Sequence, residues 1–175
     1  MSNILTLSIS ELVSKLKSGD ISSVELCSAY IDRYDKFEKD VKAWAYFDKK
    51  LLLEKATEAD ENRKAGKPLG QLHGLPIGVK DIFGTLDMPT ECGTVIRKKM
   101  TGSQDAEVVN LLKISGAITM GKTTTTELAY FHPSKTTNPN DYSRTPGGSS
   151  SGSAAAVASY MTPLAIGSQT NGSVI

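Results

Sequence analysis

The sequence predicts an α/β fold, because amphipathic helical patterns alternate with short, buried apolar runs along its 175 residues. Helical patterns dominate residues 1–66, and from Leu72 onward Gly, Pro, Ser and Thr become frequent between short apolar runs. Apolar residues make up 39% and charged residues 22% of the chain, which is ordinary for a globular protein with one core. We therefore predict a single domain, with a helical N-terminal region at 1–66 and a core segment at 67–175.

The first region predicts three helices and one strand. Ser8 and Ser22 each stand three residues before a glutamate, which is the spacing of a capping box, so a helix is expected to begin after each serine. The aromatic-rich stretch 43–47 predicts a strand. Residues 49–64 are mostly good helix formers and predict the third helix.

The second region predicts shorter elements. The apolar runs indicate strands at 75–79, 116–120 and 164–166, and helices at 107–115 and 153–160. Residues 116–123 also fit the P-loop pattern. We reject a phosphate site there, because a P-loop needs its strand before the first glycine, whereas here the apolar residues follow that glycine.

Composition excludes several classes of function. The net charge is +1, from 20 basic and 19 acidic residues without a block of one sign, so neither nucleic acid nor a membrane surface is an expected partner. Cys27, Cys92, His73 and His132 are isolated and form no metal-ligand pattern. No metal or organic cofactor is expected. Without a recognisable signal peptide, a cytoplasmic location is predicted.

Lys80 and Ser173 suggest nucleophilic catalysis. Lys80 follows a buried apolar run, and burial lowers the pKa of a lysine, so its neutral amine is available as a base. Ser173 ends the small polar turn 170–173, whose backbone N–H groups are suited to stabilise an oxyanion. Asp81 would favour the ammonium form of Lys80. It must therefore point elsewhere, or the lysine must exchange protons within a network.

The serine-rich run 147–153 supplies a relay between the two. Its glycines permit unusual backbone conformations, and its hydroxyls can pass a proton, which gives the order Lys80, Ser149, Ser173. Ser150 and Ser151 are expected to support this network. Taken alone, the run is also typical of a flexible linker.

Three segments together resemble the amidase signature family: 74–81, 147–155 and 167–173. The resemblance implies a mixed β-sheet flanked by helices. It also implies that Lys80 activates the nucleophile Ser173 through Ser149, which is held in a cis peptide. The oxyanion hole maps onto the backbone N–H groups of Thr170, Asn171, Gly172 and Ser173.

The implied substrate is a small molecule with a linear carboxamide group. The implied activity is its hydrolysis, through an acyl-enzyme, to a carboxylate and ammonia or an amine. Family members are more than twice as long, so the chain is expected to be the N-terminal part of such a domain, and whether it is active alone stays open. A homodimer or a complementary C-terminal fragment is the expected partner.

Many family members carry an acidic residue where this chain has Gln169, and glycine or alanine where it has Asn171. The pair Gln169-Thr170 resembles stand-alone amidases more than the A subunits of amidotransferases. Two alternatives stay open. One is a glutaminase-type A subunit of a glutamyl-tRNA amidotransferase. The other is a non-catalytic fragment that binds a complementary chain.

Overall fold

A mixed β-sheet forms the centre of the molecule. The computed structural model describes residues 4–174. Over this range four strands follow the order β1-β3-β2-β4. Their bounds are β1 Trp44–Phe47, β2 Pro76–Lys80, β3 Ile118–Thr123 and β4 Ala165–Ile166. β1 runs antiparallel to β3, whereas β2 runs parallel to both β3 and β4, so the predicted α/β fold with a mixed sheet is confirmed.

Five α-helices flank this sheet within residues 4–174: α1 Ile9–Ser18, α2 Ser23–Val41, α3 Lys49–Lys64, α4 Glu107–Ile114 and α5 Ser151–Ala158. Short 3-10 helices lie at Ile4–Thr6, Val95–Arg97 and Glu127–Ala129. Ser8 forms the complete capping box, and the Ser22 hydroxyl accepts from the N–H of Glu25 at 3.0 Å. None of the helices in this range combines the length and apolar character needed to cross a bilayer.

One hydrophobic core joins the N-terminal helices to the sheet. Leu12, Leu26 and Tyr30 of α1 and α2 are almost fully buried, and they share a cluster with Ile77 of β2 and Ala156 of α5. β1 lies within the predicted helical region and pairs with β3. The two sequence regions therefore share one core and one sheet.

The predicted bounds of two elements are wrong by two or more residues at both ends, and a physical cause explains where each element ends. The strand predicted at 116–120 is Ile118–Thr123. It continues through the buried Lys122 because the carboxylate of Asp81 compensates the charge of that lysine. This strand occupies the glycine-lysine-threonine end of the P-loop pattern. The helix predicted at 153–160 is Ser151–Ala158 and ends before Tyr160, whose φ is +57°.

Close packing fixes the start of α5 against the sheet. The N–H of Gly152 donates to the carbonyl of Thr124 at 2.8 Å, and the N–H of Thr124 donates to the carbonyl of Ala43 at 2.8 Å. A Cβ at Gly152 would lie 2.2 Å from the Ala43 oxygen and 2.3 Å from the Thr124 nitrogen. Only glycine therefore allows the serine-rich run to lie at the ends of β1 and β3.

Candidate active site

The catalytic candidate Lys80 is the last residue of β2 and is completely buried. Its Nζ donates to Ser149 Oγ at 2.6 Å. It also lies 3.0 Å from Ser168 Oγ and 3.3 Å from the Ser168 carbonyl. β4 pairs in parallel with β2 up to Val79, so the residues directly after β4 lie beside Lys80. The amine is thus surrounded by hydroxyl and carbonyl oxygens.

This environment favours the neutral amine. Burial lowers the pKa of Lys80 to about 8. Removing a lysine from water disfavours the ammonium form, and its hydrogen-bonding partners here are neutral. Relative to an ordinary lysine, such a shift increases the neutral fraction at pH 7 by about 300-fold. Lys80 is therefore suited to accept a proton from Ser149.

The serine-rich run places its side chains in different directions. Ser149 is buried and follows a cis peptide bond from Gly148, as the family resemblance implies. The Ser150 hydroxyl donates to the Ser168 carbonyl at 3.2 Å and accepts from the Ser168 N–H at 3.3 Å. Ser150 therefore joins the surroundings of Lys80 through Ser168.

Ser151 and Ser153 instead fix the run to neighbouring segments. The Ser151 hydroxyl is 2.7 Å from that of Ser134. The Ser153 hydroxyl is 2.6 Å from Thr123 Oγ1 and donates to the Ile166 carbonyl at 3.0 Å. Of the two serines predicted to support the network, Ser150 is linked to Lys80 through Ser168, whereas Ser151 contacts Ser134.

Ser173 lies on the wall of the cavity that also contains Ser149, a space of about 580 Å³. Its carbonyl accepts from the N–H of Ser150 at 3.2 Å. Within residues 4–174, its hydroxyl forms no hydrogen bond to Ser149 or Lys80. The backbone N–H groups of the turn 170–173 likewise donate to no acceptor in that range. These donors border the cavity and remain available to a bound molecule.

Asp81 points away from the serines. Its carboxylate lies 3.3 Å from Lys122 Nζ, and both side chains are fully buried. Lys122 also donates to Thr90 Oγ1 at 2.6 Å, and Glu91 N–H donates to the Asp81 carboxylate at 3.2 Å. Burial pushes the pKa of Lys122 down and that of Asp81 up, and each charge opposes the shift of the other. The sequence left open whether Asp81 points away from Lys80 or Lys80 exchanges protons within a network. The structure shows the Asp81 carboxylate pointing away from Lys80.

The sequence profile of the amidase family matches residues 25–175. The chain belongs to the amidase family. Among curated proteins, it is 43% identical over 180 residues to the A subunit of the glutamyl-tRNA(Gln) amidotransferase of Leptospira interrogans, covering 99% of this chain and 37% of that protein. The corresponding protein of Salinispora tropica is 38% identical over 182 residues, with 99% and 37% covered. The chain thus spans little more than a third of the length of these relatives.

Among solved structures, the native peptide amidase from Stenotrophomonas maltophilia superimposes on the chain with a TM-score of 0.89. The two are 31% identical, and the match covers 96% of this chain and 37% of the peptide amidase. The predicted resemblance to the amidase signature family is therefore confirmed, together with its fold.

Ser168 is a site residue of this amidase-family chain that sequence reasoning missed. It contacts Lys80 more directly than Ser150 does. A signal for it exists, because Ser168 follows the short strand predicted at 164–166. Parallel strands present their carboxyl ends at one edge of a sheet, and Lys80 lies at that edge. Within residues 4–174, no group of three or more His, Cys, Asp or Glu side chains is placed to hold a metal ion.

Proposed function

We propose that the chain contributes the catalytic residues of an amidase that hydrolyses a linear carboxamide of a small molecule. The observation that carries this proposal is the 2.6 Å hydrogen bond from the buried Lys80 amine to Ser149 Oγ. A lysine with its pKa lowered to about 8, next to a serine on the wall of a cavity, is the arrangement that a serine–lysine base requires.

In the proposed reaction, Ser173 Oγ attacks the amide carbonyl carbon and forms a C–O bond. Its proton passes to Ser149, while the proton of Ser149 passes to the Lys80 amine. The N–H groups of Thr170, Asn171, Gly172 and Ser173 stabilise the negative oxygen that develops.

Collapse of this intermediate breaks the C–N bond, and the proton held by Lys80 returns through Ser149 to the leaving nitrogen. Water then attacks the serine ester, with the same groups accepting its proton, and the bond between the acyl carbon and Ser173 Oγ breaks as that proton passes through Ser149 to Ser173. The products are a carboxylate and ammonia or an amine, and the side chains return to their initial protonation states. Ser150 and Ser168 support the relay by holding the loop around Lys80.

Covalent labelling with a fluorophosphonate probe tests the nucleophile. Intact mass spectrometry should show one adduct on the chain and none on the Ser173→Ala variant. Ser143→Ala is the matched control, because Ser143 is exposed and its hydroxyl bonds Asp141 outside the cavity. A folded chain without an adduct, or an adduct that persists in Ser173→Ala, contradicts the proposal.

A second candidate is the glutaminase-type A subunit of a glutamyl-tRNA amidotransferase. It is favoured by the 43% identity to a protein of that kind, compared with 31% identity to the peptide amidase. A comparison of ammonia release from glutamine and from a panel of simple carboxamides separates the two functions. Release confined to glutamine supports the amidotransferase role, whereas release from carboxamides that lack an amino-acid moiety supports the stand-alone amidase.

We also propose that a complementary chain or a second copy covers one face of this chain. β4 is at the edge of the sheet, and beside it lies a cavity of about 640 Å³. Its apolar lining includes Ala154, Val157, Leu164 and Val174. Light scattering after gel filtration and binding of an apolar dye test this. A monomer that binds no dye contradicts it. A fragment that binds a partner but never labels is the non-catalytic alternative.

A cytoplasmic location is part of the proposal. Cys27 and Cys92 are free thiols, and reduced cysteines are typical of proteins in reducing compartments. Fractionation of cells that express the protein tests this location, and recovery in a secreted or membrane fraction contradicts it.

A further inference from the structure

The geometry points to a positioning role for a residue outside the serine network. We propose that Lys122, by forming a buried ion pair with Asp81, holds that carboxylate on the opposite face of the sheet from Lys80 and so keeps the Lys80 amine available as a base. This inference rests on the proposed function, because it assumes that Lys80 is the base.

Strand register separates the two groups. β2 and β3 are parallel, with Val79 opposite Lys122 and Lys80 opposite Thr123. Side chains alternate between the faces of a sheet, and residues opposite each other share a face. Lys80 and Thr123 therefore share one face, whereas Lys122 shares the other with Val79. The Asp81 N–H continues the ladder by donating to the Thr123 carbonyl at 2.9 Å. The Asp81 side chain therefore lies on the face opposite to that of its neighbour Lys80, which is the face of Lys122.

Contacts on each face agree with this assignment. Thr123 Oγ1 meets Ser153 at 2.6 Å, and Lys80 meets Ser149, so the first face is that of the serine-rich run. On the second face, Lys122 Nζ donates to the carbonyl of Phe83 at 2.9 Å and to that of Pro89 at 3.1 Å. These bonds fix the ammonium group of Lys122 independently of Asp81.

Charge explains why the separation matters. Asp81 is the residue next to Lys80 in sequence, and a carboxylate close to an amine stabilises its ammonium form. Held by Lys122, the carboxylate and its partner form a neutral pair. Cys92 and Asp87 interact electrostatically with Lys122, and Arg97 interacts with Cys92. The other charged or titratable groups that line the cavity beside Asp81 are Glu91, Lys98, Glu127, His132 and Lys135. On the other face, the groups next to Lys80 are the hydroxyls of Ser149 and Ser168.

The test measures the pKa of Lys80 directly. The Cε resonance of Lys80, in protein with ¹³C-labelled lysine, is titrated by NMR and assigned by its loss in Lys80→Met. In Lys122→Met the pKa of Lys80 should rise by about half a unit or more, because an unpaired carboxylate stabilises the ammonium form. In the double variant Lys122→Met/Asp81→Asn it should return to the parent value, because the freed carboxylate is gone.

Two results overturn the inference. One is an unchanged Lys80 titration in Lys122→Met, and the other is a rise that persists in the double variant, since the latter reports a structural change rather than the charge of Asp81. If Lys122→Met does not fold, Asp81→Asn decides, because loss of the carboxylate must leave the Lys80 pKa at or below the parent value. The readout needs no activity. A protein that never labels at Ser173 refutes the proposed function, whereas the titration decides separately whether Lys122 keeps the charge of Asp81 away from Lys80.

Discussion

Lys80 and Lys122 are buried on adjacent strands of the same sheet, and their surroundings differ in one respect. Lys122 faces a carboxylate, Asp81, and three neutral oxygens, whereas Lys80 faces only hydroxyl and carbonyl oxygens. Both side chains are fully buried, and burial lowers the pKa of each. The comparison shows that burial alone does not distinguish the ion-paired Lys122 from Lys80, the proposed base. The partner does, since a carboxylate compensates the buried charge and hydroxyls can exchange protons.

Replacing Lys80 should give the largest effect on chemistry. Lys80→Met removes the proposed base, so the rate of fluorophosphonate labelling should fall by about 10³–10⁴-fold. No buried carboxylate loses its partner, but buried oxygens of Ser149 and Ser168 lose a donor, so the free energy of unfolding should fall by about 1–3 kcal/mol. Labelling kinetics and urea denaturation of the same preparation check both statements. A variant that labels normally would remove Lys80 from the mechanism.

Replacing Lys122 should affect the stability of the fold more than the chemistry. Lys122→Met leaves Asp81 as a buried, unpaired charge and should lower the free energy of unfolding by about 3–5 kcal/mol in urea denaturation. The matched control is Lys49→Met, which breaks an ion pair with Asp35 in which both side chains are about half exposed. That pair should contribute less than about 1 kcal/mol. Equal losses in the two variants would show that the buried pair has no special structural role.

Ser149 and Ser151 provide a sharper comparison within one run. Ser149→Ala interrupts the relay next to Lys80 and should slow labelling by about 10²-fold. Ser151→Ala removes a hydroxyl that contacts Ser134, and it should leave the rate within about threefold of the parent. Rates of both variants, measured at a pH where Lys80 is neutral, test the assignment. If Ser151→Ala is the slower variant, Ser149 is not the bridging serine.

The last prediction concerns the pH dependence of the parent chain. Lys80 must be neutral to accept a proton, and its pKa is about 8. The labelling rate should therefore rise about tenfold per pH unit below 8 and become constant above that value. In Ser173→Ala no pH dependence should appear, because no labelling occurs. A rate that is flat from pH 6 to 9 would mean that Lys80 is not the titrating base.

The sequence predicted most of this fold because the periodic signals are strong where one face is buried. α3 has the predicted bounds, and Ser8 caps α1 as its spacing indicates. The end of β3 was missed for a physical reason. A lysine inside an apolar strand looks like the end of that strand unless its carboxylate partner is known, and Asp81 is distant in sequence.

The candidate site was predicted less evenly. The Lys80–Ser149 contact followed from a motif, whereas Ser168 depends on the pairing of β2 with β4, which a short strand of ordinary composition does not specify. The side to which Asp81 turns depends likewise on register. Long-range pairing thus decides what local patterns leave open.

The register of β2 against β3 also determines on which face of the sheet each side chain of the site lies. Between Ile77 and Gly78 of β2, the opposite strand advances from Thr119 to Gly121, so β3 accommodates one extra residue, Met120, just before the two lysines. Side chains exchange faces with every single-residue step. Deleting one residue from this part of β2 would therefore not weaken the site by degrees. It would exchange the sides on which amine and carboxylate emerge, whereas a change of two residues would restore them.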